Sequence, residues 1–234
     1  MDDAVAVYLE IGTTKNFAGA VDWPGWCRSG RTEEAALEAL VGHGPRYRAV
    51  LGRSSPAFHA PPDVSRLKVV ERLEGDGGTD FGVPGKSPTA DERRVDDREL
   101  ARFRRLLTRC WAAFEAAAAA AVGVELRKGP RGGGRDLDKI VTHVTEADEG
   151  YLSQLGSKVP KRLHSDLSAE SAALHATILA ALSARARGQS PSDPNNVKRL
   201  WSPRYHVRRA TWHILDHAWE IEDRAHPDTG TPNA

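Results

Sequence analysis

The stretch Thr211-Trp-His-Ile-Leu-Asp-His-Ala-Trp-Glu-Ile-Glu-Asp223, near the end of the chain, predicts a continuous helix. Its two histidines, His213 and His217, are four residues apart, which places both imidazoles on one helix face about 6 Å from each other. One metal ion can reach both rings at that distance. The pair alone is not specific, because such pairs are more often structural. His143, in another segment with helical spacing, would complete a three-ligand site with an open position for water or substrate.

The surroundings of the pair strengthen this hypothesis. His206, His213, His217 and Glu220 fall on one narrow stripe of the helix, and most of the remaining circumference is apolar. A helix that is apolar nearly all round is usually buried. Unsatisfied polar groups inside a protein cost about 1 to 3 kcal/mol each, so buried imidazoles need partners. A metal ion satisfies one nitrogen of each ring, and a carboxylate or carbonyl can take the other.

Length, charge and cysteine content limit the alternatives. The 234 residues suit one large domain or two small ones. The balance of 33 basic against 32 acidic residues gives no strong nucleic-acid or membrane signal. No long apolar run predicts a membrane span, and the amino terminus lacks the pattern of a signal peptide, so we expect a cytoplasmic protein. Cys27 and Cys110 match no metal or disulfide pattern and are expected to be free thiols.

Residues 1–74 predict a small α+β domain. Short strands are expected at Ala4 to Glu10, Asn16 to Val21 and Leu67 to Leu73, with a hairpin turn at Gly12 to Lys15. A helix is expected to begin after Thr32, which is suited to cap it.

Residues 75–95 are rich in glycine, proline and charge, and predict a linker or an ordered surface loop. Residues 96–226 contain four segments with helical spacing, separated by stretches of helix breakers. The expected helices are Asp96 to Val122, Asp136 to Leu155, Ser168 to Arg187 and Pro203 to Arg224. The predicted fold class is therefore an α+β N-terminal domain followed by an all-α four-helix bundle.

Two carboxylates accompany the histidines. Glu146 lies three residues after His143, and Glu220 lies three residues after His217. Each glutamate has three possible roles: it could accept a hydrogen bond from a ligand histidine, bind the metal as a fourth ligand, or act as the catalytic general base. A dinuclear carboxylate site is less attractive, because it usually requires Glu-x-x-His and none of the three histidines has a glutamate three residues before it. His175, in the third helical segment, is the alternative to His143 as a ligand.

With His143 in the second long helix and His213-x-x-x-His217 in the last, residues 96 to 225 resemble the DinB-like superfamily. The resemblance implies a four-helix bundle that holds one divalent metal ion, commonly zinc or nickel, on these three histidines. Relatives in that superfamily include transferases and isomerases that use a low-molecular-weight thiol. The resulting hypothesis is a metal-dependent enzyme that acts on a small-molecule substrate, by transfer or isomerisation with a thiol or by hydrolysis with water.

The stretch from Asp22-Trp-Pro-Gly to Thr32-x-Glu-Glu-Ala, within about residues 4 to 73, is similar to the HicB-like pattern. HicB proteins are antitoxins whose small domain binds a partner protein. The alternative function is therefore a non-enzymatic, antitoxin-like binding module with the bundle as a scaffold, although no DNA-binding pattern follows the small domain. Residues 1–74 have three other candidate roles: a lid, a substrate-recognition module, or an oligomerisation element that would produce a homodimer.

Overall fold

A four-stranded sheet forms the N-terminal part of the protein. The computed structural model describes residues 4–52, 58–128, 134–159, 167–189 and 200–225. The strands are β1 (Val5–Ile11), β2 (Asn16–Ala20), β3 (Cys27–Gly30) and β4 (Leu67–Glu74), in the order β3-β2-β1-β4. β1 pairs antiparallel with β2 and parallel with β4. The predicted hairpin turn is confirmed by a hydrogen bond from the Gly12 amide to the Lys15 carbonyl.

Two helices accompany the sheet, α1 (Glu33–Gly42) and α2 (Gly44–Leu51). The hydroxyl of Thr32 accepts a hydrogen bond from the Ala35 amide and caps α1, as predicted. Gly25, in the turn before β3, has a φ of +90°, and a side chain there would meet Thr211 of the last helix at 2.9 Å. Glycine therefore allows both the turn and the close approach of that helix.

The segment 75–95 packs against the sheet. It contains α3 (Gly77–Phe81) and a short 3-10 turn at Thr89–Glu92. The carboxylate of Glu10, fully buried on β1, accepts hydrogen bonds from the Thr79 hydroxyl and from the amides of Gly85 and Lys86. These three donors compensate for the burial of the charge and hold the segment in place.

Four long helices follow at the predicted positions, with their ends within about two residues of expectation. They are α4 (Asp97–Ala120), α5 (Leu137–Gln154), α6 (Leu167–Ala186) and α7 (Pro203–Ala225). α7 packs against α4 and α5, and α5 packs against α6. Most of the helix-breaking connections predicted between them, at 129–133, 160–166 and 190–199, lie outside the described residues. None of the described helices is both long and apolar enough to cross a membrane.

The buried apolar side chains form a cluster that includes residues of the sheet and of the long helices. Val7 and Leu9 on β1, Leu107 on α4 and Leu215 on α7 all belong to it. Residues from both predicted domains therefore contribute to one hydrophobic core. The division of the chain into domains at residues 74 and 95 stays a prediction.

Candidate metal centre

Helix α7 carries the polar stripe into the interior of the protein. Ile214, Leu215 and Trp219 are buried on its other faces, as the sequence predicts for an enclosed helix. Because side chains at positions i, i+4 and i+7 share a face, His213 and His217 project together. Their face of α7 meets α5, where His143 lies.

The structure brings His143, His213 and His217 together. One ring nitrogen of each lies within 4.8 Å of the other two. The closest approach joins Nε2 of His143 to Nε2 of His213, at 3.2 Å. The ring of His217 lies 4.7 Å from that of His213 and 5.0 Å from that of His143, between centroids. The three imidazoles therefore converge on one point from two helices.

Burial keeps two of these imidazoles neutral. It lowers the pKa of His213 to about 2, and the positive charge of Arg209 acts in the same direction. Burial also lowers the pKa of His143, assisted by the charge of Arg135. Neutral imidazoles have a free lone pair, which is the form that coordinates a metal ion. Nδ1 of His213 is buried without a hydrogen-bond partner among the described residues.

Glu220 orients His217. One oxygen of its carboxylate accepts a hydrogen bond from Nδ1 of His217 at 2.7 Å, and the other accepts one from Arg224 at 2.6 Å. Burial acts to raise the pKa of Glu220, but His217 and Arg224 outweigh it and leave that pKa below its ordinary value. With Nδ1–H donating to a carboxylate, Nε2 of His217 is the nitrogen with the available lone pair.

The other predicted carboxylate lies differently. Glu146 is exposed, one turn after His143 on α5, and forms no hydrogen bond with the described residues. Its negative charge acts to raise the pKa of His143. Glu146 therefore contributes to the electrostatic potential at the histidine cluster, but it does not orient any of the three imidazoles by a hydrogen bond.

His175, the alternative ligand, lies outside the cluster. Its ring stacks on Trp111 with 3.9 Å between centroids, and its Nε2 lies 3.9 Å from a carboxylate oxygen of Asp148. Asp148 is buried and accepts a hydrogen bond from the Trp111 indole at 2.8 Å. Burial raises the pKa of Asp148 to about 7 and lowers that of His175 to about 4.

Sequence reasoning missed two residues beside the histidines, Tyr151 and Arg209. The ring of Tyr151 lies 5.8 Å from that of His213, and the guanidinium of Arg209 lies over the Tyr151 ring at 5.5 Å. The spacing from Arg209 to His213 is itself i, i+4, so the signal was present in the sequence.

Neither cysteine supplies a reactive thiol. Cys27 and Cys110 are both free, as predicted, and both are buried. Burial raises the pKa of each thiol well above its ordinary value. Both therefore remain protonated at neutral pH.

Comparison of the chain with protein-family models, with curated proteins and with solved structures finds no match.

Proposed function

We propose that the protein is a metal-dependent enzyme of the DinB-like type, in which α4 to α7 form a four-helix bundle and His143, His213 and His217 hold one divalent ion, zinc or nickel. The observation that carries the proposal is the convergence of three ring nitrogens within 4.8 Å of one another. It is joined by the hydrogen bond that orients His217 through Glu220.

The donor set fits such an ion. Two imidazole nitrogens bound to tetrahedral zinc at about 2.0 to 2.1 Å lie about 3.3 Å apart. The Nε2 atoms of His143 and His213 are 3.2 Å apart. A direct hydrogen bond between the two rings gives a similar distance, and it is the competing explanation. That explanation leaves His217, already oriented by Glu220, without a role in the cluster.

The residues have distinct roles in this proposal. When bound, the ion supplies Lewis acidity that lowers the pKa of a water molecule or of a small-molecule thiol. Glu220 fixes the ring of His217, and its two oxygens are both engaged. Glu146 forms no hydrogen bond with the described residues, so its carboxylate is the freer of the two to accept a proton. The buried cysteines favour an external thiol, so transfer or isomerisation with a small thiol and hydrolysis with water are the two reactions to test.

The metal content of protein purified without added metal tests the proposal. We expect about one zinc or nickel ion per chain in the wild type, and loss of that ion in the variant with His213→Ala and His217→Ala. His59→Ala is the matched control, because it removes an exposed imidazole outside the cluster. A wild type without metal, or a double variant that retains it, would contradict the proposal.

Thermal unfolding with added zinc or nickel gives a second readout, which does not depend on whether the ion stays bound during purification. An ion present at 100 times its dissociation constant stabilises the folded state by about 2.7 kcal/mol. For a chain of this size that corresponds to a rise in Tm of roughly 5 to 11 °C. We expect the rise in the wild type and in His59→Ala, and its absence in the double variant. A hydrogen-bonded histidine cluster that binds no ion would show no rise in any of them.

A further inference from the structure

Arg209 lies beside the histidine cluster and has no carboxylate partner among the described residues. It is one helical turn before His213 on the same face of α7. Its guanidinium is held by aromatic rings, 4.6 Å from the centre of Trp212 and 5.5 Å from that of Tyr151. Its Nη1 atom is buried and has no hydrogen-bond partner among the described residues. A buried donor without an acceptor costs free energy, which a bound acceptor would recover.

The other arginines of α7 are all paired. Arg204 bonds to Glu99, Arg208 to Asp91 and Arg224 to Glu220. Each of these pairs joins two elements or braces the helix itself. Arg209 has the same guanidinium chemistry and a fixed position, but no carboxylate in the described part of the chain pairs with it. Stacking on two rings orients the planar fork of donors, and the buried Nη1 still lacks an acceptor among the described residues.

The field beside the cluster also favours an anion. Arg209 and Arg135 both act on the histidines as positive charges, and a divalent ion would add to them. Glu146 is the nearby carboxylate that opposes them, whereas Glu220 is already neutralised by Arg224. A neutral or cationic substrate would leave this excess of positive charge uncompensated.

We propose that Arg209 is a substrate-binding residue, and that the substrate is a small molecule with an oxyanion, a carboxylate or a phosphate, held by this guanidinium next to the histidine cluster. The inference rests on the proposed function, because the three histidines define where the reacting part of the substrate lies. Tyr151 is the neighbouring side chain, because its ring lies beside both the His213 ring and the Arg209 guanidinium. The planar donor fork matches the oxygens of either anion.

Calorimetric titration with benzoate, phenyl phosphate and benzamide tests this inference. Benzamide is the neutral control for benzoate, and the two anions distinguish a carboxylate from a phosphate. The proteins are the wild type, Arg209→Gln, Arg209→Lys and Arg105→Gln, each titrated both metal-free and zinc-loaded, with zinc content measured on the same samples. Arg105→Gln is the matched control, because it removes one positive charge from the exposed face of α4. Thermal unfolding establishes that each variant is folded.

We expect at least one of the two anions to bind the wild type more tightly than benzamide does. Arg209→Gln should bind that anion about 10 to 100 times more weakly, and Arg105→Gln should match the wild type. Arg209→Lys, which keeps the charge but loses the fork, should fall between them and remains informative if the glutamine variant does not fold.

Equal anion affinity in the wild type and the folded Arg209 variants would overturn the inference, as would no preference of the wild type for either anion over benzamide. Normal zinc content in the zinc-loaded samples would leave the proposed metal centre intact. Conversely, Arg209-dependent anion binding in a protein that takes up no zinc would support the anion site and count against the metal centre.

Discussion

The buried ion pair between Arg208 and Asp91 offers a stringent test of how the N-terminal part is attached to α7. Arg208 donates two hydrogen bonds to the Asp91 carboxylate, both at 2.7 Å, and two more to the carbonyls of Ala20 and Val21. Only 6% of the Arg208 side chain and 1% of the Asp91 side chain are exposed. One guanidinium therefore joins α7, the end of β2 and the segment before α4.

Arg208→Met should be strongly destabilising, because it leaves the Asp91 carboxylate buried without a partner. Breaking one side of a buried pair costs about 3 to 5 kcal/mol. At about 2 to 4 °C per kcal/mol for a chain of this size, Tm should fall by roughly 6 to 20 °C. Adding Asp91→Asn removes the stranded charge and should recover part of the loss, with a coupling energy of about 2 kcal/mol or more between the two sites.

Urea unfolding of the wild type, both single variants and the double variant completes the cycle. The pair of Arg72 and Glu33 is the matched control, since it has the same chemistry with 57% and 33% of the side chains exposed. Arg72→Met should cost less than about 1 kcal/mol. If Arg208→Met costs no more than Arg72→Met, or if the two sites of the buried pair prove additive, the reasoning about this attachment is wrong.

Two further predictions concern Glu220 at the candidate metal centre and the buried histidine His206. Glu220→Gln should weaken zinc binding by about 10- to 100-fold, because His217 loses the carboxylate that orients it. Competition with a zinc indicator measures the affinity, and Glu115→Gln, on the exposed face of α4, is the control. An unchanged zinc affinity in Glu220→Gln would rule out the orienting role. Burial lowers the pKa of His206 to about 3. Below pH 6.5 the unfolded chain therefore takes up a proton at His206 that the folded chain does not, and the free energy of unfolding decreases as the pH is lowered. In metal-free protein, between pH 6.5 and 5.5, the wild type should therefore lose about 1 kcal/mol more than a folded His206→Asn variant. Asp148, with its pKa raised to about 7, acts in the opposite direction but equally in both proteins; parallel pH profiles in urea unfolding would contradict the assignment to His206.

The elements that the sequence predicted well have a strong period or clear caps. The alternating and helical patterns of β1, β2, β4 and the four long helices depend on local geometry, so their bounds follow from residue order. Two of the elements that it missed, β3 and α2, have neither signal, whereas α3 begins with a capping box of Asp76 and Thr79 inside a segment otherwise rich in glycine and proline. β3 has only four residues, Cys27–Gly30, and it exists because β2 offers an edge to pair with. α2 begins with Gly-Pro, a combination that the sequence alone also allows in a turn.

Within the candidate site, the sequence by itself determined the pair His213 and His217, because a helix repeat of 3.6 residues fixes which side chains share a face. It also placed Glu220 within reach of His217 for the same reason. The approach of His143 was only a hypothesis at that stage. Its ring reaches His213 because α5 packs on α7, a contact between residues 70 positions apart that no local pattern encodes. The tertiary structure likewise decided that Arg208 is paired, while Nη1 of its neighbour Arg209 has no partner among the described residues, since adjacent residues on a helix face different surroundings.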